Sequence, residues 1–150
     1  MPLPDGIKLR AGRRGDRASL YKLLEEVGVN VGLTDQENAV RWIVSHPESE
    51  VWIAVDPLDR GVGFVSLSHR PQLRVAGRIA TIEDLVVTKA MRRRGIGEEL
   101  IQKALERARS LGCKRVVVTA RGPDSDAWLR KHGFGDGGAT LLQWDNPTAG

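Results

Sequence analysis

A mixed α/β fold of the α+β kind, with one central sheet and helices on its faces, is the fold class the sequence predicts, on three observations. Residues 7–11 alternate apolar and polar side chains at period two, and residues 50–68 hold short apolar runs bounded by turn residues, as strands do. Residues 97–111 repeat apolar side chains at spacings of three and four with charges between them, the pattern of an amphipathic helix. Between these, residues 81–100 run from an apolar strand through a basic glycine loop into that helix without interruption.

At 150 residues and 41% hydrophobic, the chain can bury a core without disulfide or metal support, and residues 1–150 read as a single domain with 146–150 as a loose tail. No stretch approaches the roughly 18 apolar residues of a membrane span, and the N-terminus lacks a charged region followed by an apolar one. A cytoplasmic protein with no membrane partner is expected. The single cysteine, Cys113, cannot make an internal disulfide, and three scattered histidines with no second thiol leave no zinc pattern, so no metal is expected. Net charge is +4, a mild preference for anionic partners. The arginines gather at one glycine loop with no aromatic platform beside them, which argues against nucleic acid.

Taken in order, residues 7–11 predict a first strand. Residues 16–27 predict a first helix, with Leu20, Leu23, Leu24 and Val27 on one face, Asp16 as cap and Gly28 as stop. Thr34-Asp35-Gln36-Glu37 has capping-box spacing and opens a second helix to about Ser45, which His46-Pro47 breaks. Strands over 50–55 and 62–68 flank a turn at 56–61, and a second turn over 70–77 leads into a strand over 78–87. The helix over 97–111 stops at Gly112. Val116, Val117 and Val118 form a continuous apolar run, which predicts a parallel strand inside the sheet, reached by a right-handed crossover. A short helix follows from Asp124 or Ser125 to Lys131, and residues 139–144 read as a last strand.

Chemistry concentrates in Thr81-Ile82-Glu83-Asp84-Leu85-Val86-Val87 and in the loop Arg92-Arg93-Arg94-Gly95-Ile96-Gly97. A helix N-terminus offers unbonded N–H groups and the positive end of a dipole, and Gly95 and Gly97 let the chain curl those groups toward an anion. Three guanidinium groups at the rim add charge-assisted bonds, so two linked phosphates can be held. The third glycine of the dinucleotide fingerprint is absent, as is any Gly-x-x-x-x-Gly-Lys-Ser/Thr segment.

At these residues the sequence resembles the GNAT superfamily of acetyl-CoA-dependent N-acyltransferases. Arg92-Arg93-Arg94-Gly95-Ile96-Gly97 is similar to that family's Gln/Arg-x-x-Gly-x-Gly/Ala loop. Ile82-Glu83-Asp84-Leu85-Val86-Val87 looks like the strand before it, above all in members acting on polyamines or amino sugars. Ala127-Trp128-Leu129-Arg130-Lys131-His132-Gly133-Phe134 is similar to the second family signature. The resemblance implies a central sheet of six to seven strands flanked by about four helices, and acetyl-CoA as cosubstrate. It implies that main-chain groups of Leu85, Val86 and Val87 pair with the pantetheine arm. Arg92, Arg93, Arg94, Gly95, Ile96 and Gly97 then hold the pyrophosphate, with Asp124 where many members have a cofactor-contacting asparagine. It brings in the two N-terminal helices as the acceptor side, with Glu25, Glu26, Asp35, Glu37 and Trp42, and a homodimer as one assembly to expect.

Acyl transfer from a thioester needs a neutral amine, and at pH 7 a lysine-like amine is protonated by a margin of about 4 to 5 kcal/mol. A carboxylate near the acceptor can take that proton. Glu83 and Asp84 are the candidates, and since neighbouring strand residues point to opposite faces, both enter one cleft only if a bulge intervenes. The resemblance favours Glu83 as base and Asp84 for an acceptor contact or a structural bond. Where many relatives have a tyrosine acid this chain has Leu129, and its one tyrosine, Tyr21, lies in the first predicted helix. The expected activity is acetylation of a small primary amine: a polyamine, amino sugar, aminoglycoside or amino acid. A protein or peptide N-acetyltransferase and a noncatalytic acyl-CoA sensor are the alternatives.

Overall fold

The structure, a computed structural model, describes residues 2–149. It resolves into two units, Met1–Val118 and Thr119–Gly150.

The first unit is a five-stranded sheet in sequence order, with β1 (Lys8–Ala11), β2 (Ser49–Val55), β3 (Gly61–Gln72), β4 (Gly77–Val87) and β5 (Cys113–Val118). The first four pair antiparallel and β5 joins β4 in parallel. The helices α1 (Arg17–Glu26) and α2 (Leu33–Ser45) precede β2, and α3 (Ile96–Ser110) is the crossover between β4 and β5. The turn between β3 and β4 is shorter than the sequence predicts, because Ala76 takes a left-handed φ of 52° and closes it within residues 73–76.

One face of the sheet is covered by α1 and α2. Leu20 and Leu23 of α1 and Val40 of α2 are buried in a single cluster with Val51, Ile53, Val55, Phe64 and Val86 of the strands. The α3 helix buries Ile96, Leu100, Ile101, Ala104 and Ala108 along one stripe, as its periodicity predicts. It is also fastened by charge: Arg107 donates from Nε and Nη2 to Glu50 of β2 at 2.7 and 2.9 Å. The Arg107 bond, opposed by burial and helped by a bond from the Trp52 ring N–H, holds the Glu50 carboxyl below its ordinary range.

Both predicted caps are corrected. The α2 helix begins at Leu33 with Gly32 as N-cap, and no side chain caps it, so Thr34 and Glu37 lie inside the first turns rather than forming a box. Asp16 is the N-cap of α1 but makes no cap bond. Its carboxylate turns to Arg10 instead, accepting from Nη2 and Nη1 at 2.7 and 2.8 Å, and from the Arg13 N–H at 2.7 Å. Arg10 also reaches Asp59 in the β2–β3 turn from Nε at 3.1 Å. Asp16 is 7% exposed and Arg10 12%, so this is a nearly buried pair.

The strand number is lower than six to seven. Residues 139–144 form no strand in the second unit, and Leu141, Leu142 and Trp144 are 69%, 87% and 79% exposed. A short apolar-rich segment makes a strand only where a neighbour accepts the backbone bonds, and no ladder includes this one. For the same reason β5 is an edge strand rather than an interior one, with Val117 37% exposed and Lys114 and Arg115 at the surface. The second unit carries α4 (Pro123–Lys131), opened by Gly122 at φ 115° with Pro123 in the first turn and braced by an Asp126–Arg130 pair one turn apart.

Replacing Arg10 with Ala leaves the Asp16 carboxylate without its charged partner, held only by the Arg13 N–H. Unfolding in denaturant is expected to show a loss of about 3 kcal/mol. Burial alone would raise the Asp16 pKa, and the Arg10 and Arg13 bonds outweigh it and hold the pKa below the ordinary 3.8. The stability this contributes is fully present above pH 3.8 and is lost as pH falls through the lower folded value. The R10A variant therefore has a shallower acid limb in a plot of stability against pH.

Candidate active site

The site is built on β4. Along β4, Ile79 to Ile82 pair with β5 and Ile82 lies opposite Val118, where β5 ends. Residues 83–87 continue along β3 alone, which leaves their other edge unpaired by any strand of the described residues. Thr88 N–H donates to Val62 C=O at 2.9 Å. Antiparallel alternation then directs the main-chain groups of Val86 and Asp84 toward β3, and those of Leu85 and Val87 toward the open edge. Of the three residues expected to pair with pantetheine, Val86 is thus spent on the sheet, and its side chain is in the core.

The two carboxylates come together through a bulge. Register pairs Ser66 with Asp84 and Leu67 with Ile82, so Glu83 is an extra residue with no partner on β3. Ser66 Oγ donates to Asp84 Oδ2 at 2.8 Å and Ser68 Oγ donates to Glu83 Oε1 at 2.7 Å. Ser66 and Ser68 are two apart on one strand and share the face of Phe64, which is the face α1 and α2 cover. Glu83 and Asp84 are therefore on that same face, adjacent in sequence and side by side in space. The sequence permitted this only if a bulge occurred; the bulge is there. Asp84 is half-buried against a buried serine, and Glu83 is exposed.

Beyond β4 the chain makes a 3-10 turn, Lys89–Met91, and then the glycine loop. Arg93 has φ 64° and Gly95 has φ 85°, both left-handed, so the backbone reverses twice before α3 begins. Gly95 is the N-cap of α3, and the first helical bond is Glu99 N–H to Gly95 C=O at 3.1 Å. The amides of Ile96 and Gly97 come before that bond, and no side chain caps the helix. Uncapped amides at the positive end of a fifteen-residue helix make an anion cradle. Arg92, Arg93 and Arg94 are exposed around it. Arg92 is partly committed, since its Nε donates to Val87 C=O at 3.1 Å and so occupies one acceptor of the open edge.

Glu26, expected among the acceptor-side acids, serves the loop instead. Its carboxylate accepts from Thr88 Oγ1 at 2.8 Å and from Lys89 N–H at 3.2 Å, joining the end of α1 to the start of the 3-10 turn. The Lys89 amide first, then the Thr88 hydroxyl, hold its pKa below the ordinary carboxylate range. Glu37 pairs with Arg17 at 3.5 Å, and Trp42 is 69% exposed with its ring edge toward His46. Asp124 lies in the first turn of α4, and Leu129 is buried there, with no proton to give where a tyrosine would have one. His132 Nδ1 contacts Trp128 C=O at 2.8 Å, the position of a helix-end residue. The serines were not singled out by sequence reasoning; the available signal was two hydroxyls at period two inside an otherwise apolar strand.

A sheet whose fourth strand parts from the fifth beside an uncapped helix N-terminus defines an acyltransferase fold. The chain belongs to the Acetyltransferase (GNAT) family, which matches residues 17–134. It is similar to glucosamine 6-phosphate N-acetyltransferase 1 of Oryza sativa subsp. japonica, with 37% identity over 68 residues, 45% of this chain and 41% of that one. The chain spans about half or less of the length of the curated relatives it matches. Among solved structures, an acetyltransferase of Trypanosoma brucei superposes with a TM-score of 0.79 at 25% identity, over 93% of this chain and 99% of that one. Glucosamine-6-phosphate N-acetyltransferase of Arabidopsis thaliana shares the fold, with a TM-score of 0.80 at 18% identity over 93% and 99% of the two chains. No helix of the described residues is long and apolar enough to cross a membrane, and no group of three or more His, Cys, Asp or Glu among them could hold a metal ion.

Gly95 holds φ 85°, a conformation in which a Cβ costs about 1 to 2 kcal/mol. Gly95→Ala is expected to relax the loop out of its curl and to weaken coenzyme A binding about tenfold in calorimetry.

Proposed function

We propose that this chain is an acetyl-CoA-dependent N-acetyltransferase that acts on the primary amine of a small molecule. The observation that carries this reading is the bulge at Glu83, which brings two carboxylates to the face beneath α1 and α2 on the same strand whose other edge is open. Amino sugars are the favoured acceptor class, because the curated relatives are named as glucosamine 6-phosphate N-acetyltransferases.

The residues present fit acetyl-CoA. The open-edge groups of Leu85 and Val87 suit an extended amide-bearing arm, and the uncapped amides of Ile96 and Gly97 with Arg93 and Arg94 suit a pyrophosphate. Arg92 and Gly95 complete the proposed set within the first unit, Arg92 by bracing Val87 as well as by charge. When bound, the cosubstrate supplies an acetyl thioester and a thiol leaving group. Glu83, exposed and held by Ser68, takes the ammonium proton of the acceptor, directly or through water, and so offsets the 4 to 5 kcal/mol that protonation costs at pH 7, roughly. Asp84, half-buried and held by Ser66, keeps the local field negative and contacts the acceptor nitrogen. A thiol of pKa about 8.5 leaves as thiolate without a dedicated acid, which suits the presence of Leu129.

Thiol release from acetyl-CoA across a panel of amines, with amino sugars and their phosphates beside polyamines and peptides, tests this reading. Turnover should be greatest with an amino sugar, and Glu83→Gln should lower kcat by about a hundredfold or more while leaving coenzyme A affinity unchanged. Coenzyme A binding with no turnover on any amine would favour the sensor reading, which Leu129 supports. Ser68→Ala removes the hydroxyl that orients Glu83 and is expected to lower kcat about tenfold with the KM for acetyl-CoA unaltered, as steady-state kinetics would show.

A further inference from the structure

Elsewhere in the first unit, Arg14, Arg17, Glu37 and Arg41 line a concavity of about 220 Å3. It is assembled from three elements: Arg14 opens the 3-10 turn Arg14–Asp16, Arg17 is the first residue of α1, and Glu37 and Arg41 are one turn apart on α2. Three guanidinium groups share this space with a single carboxylate.

The carboxylates that could neutralise them are committed elsewhere. Asp16, two residues from Arg14, has both oxygens taken by Arg10 and by the Arg13 N–H. Asp59 is held by Arg10 as well. Glu37 reaches only Arg17, at 3.5 Å, which is long for a charged pair. Among the described residues neither Arg14 nor Arg41 has a carboxylate partner. The turn that presents Arg14 is pinned by the nearly buried Arg10–Asp16 pair, so the backbone beneath Arg14 and Arg17 is fixed. Like charges gathered round one cavity repel, and an anion seated between them converts that repulsion into attraction.

We propose that this concavity is a binding site for a phosphate group carried by a small molecule. Guanidinium forks match phosphate oxygens two at a time, and three forks match a group with three terminal oxygens better than a carboxylate with two. The volume suits a group smaller than a drug-sized ligand, which needs roughly 300 Å3 or more. Glu37 at the same wall offers an acceptor for a hydroxyl on the remainder of the molecule. The site shares no residue with β4 or with the glycine loop.

Calorimetric titration of the full chain with inorganic phosphate, at low ionic strength and with excess coenzyme A to fill the glycine loop, tests this. One phosphate should bind per chain, and the double variant Arg14→Ala/Arg41→Ala should weaken it at least tenfold while coenzyme A affinity stays unchanged. The single variant Arg41→Gln, on an exposed helical position, should weaken phosphate several-fold and guards against misfolding of the double variant. Absence of phosphate binding, or equal affinity in all three proteins, would overturn the proposal. A second arm, which rests on the acetyl-transfer reading, compares paired amine acceptors with and without a phosphate ester. Selective loss of turnover on the phosphorylated acceptor in the double variant identifies the acceptor's own phosphate as the ligand. Unchanged turnover on both, with phosphate binding lost, identifies a separate phosphorylated molecule.

Discussion

The parting of β4 from β5 after Ile82 is the constraint on which the rest of the site depends. A strand inside a sheet satisfies its main-chain groups on both sides, and a strand that loses one neighbour must find other partners or leave those groups to solvent or ligand. Over residues 83–87 this chain takes several remedies at once. The bulge diverts Glu83 from the ladder, Arg92 bonds the Val87 carbonyl, and the remaining open-edge groups of Leu85 and Val87 are left available. The same departure steers the chain into the turn that ends at Gly95, so the open edge and the helix N-terminus are neighbours by construction.

The bulge also creates an electrostatic difficulty, which β3 offsets. Two adjacent carboxylates on one face repel, and each here is compensated by its own hydroxyl donor from β3. Because Ser66 is buried and Ser68 is only half-buried, the two acids have different surroundings from almost identical hydrogen bonds. Burial, not bond length, separates a fixed group from an accessible one.

Much of this fold was legible in the sequence where one face of an element is buried. The α3 stripe, the period-two strands and the strand, loop and helix succession are each a one-dimensional record of a buried face, and each is found where it was read. The glycine loop was legible because Gly95 and its arginines are contiguous. What was not legible depends on partners distant in sequence. Asp16 looked like a cap and is a partner of Arg10; Thr34 and Glu37 had the spacing of a box and lie within the helix. Glu26 looked like an acceptor-side charge and bonds Thr88, 62 residues away. Residues 139–144 look like a strand but have no ladder, since apolar composition records a preference for burial and not the presence of a mate. The bulge was foreseen only as a condition, because nothing local to Glu83 distinguishes it from a residue in register.

The clamp between Glu26 and the 3-10 turn has a mechanical side. Ser19 Oγ accepts the Gly61 N–H at 3.1 Å near the start of α1, and Glu26 grips Thr88 and Lys89 at its end, so the helix is moored to the sheet at both extremities. The connection after it exposes Val27, Val29 and Val31. The apolar side chains of that short connection therefore face solvent from a helix anchored at both ends. A chain built this way can vary that connection in sequence without disturbing the turn that leads into Gly95.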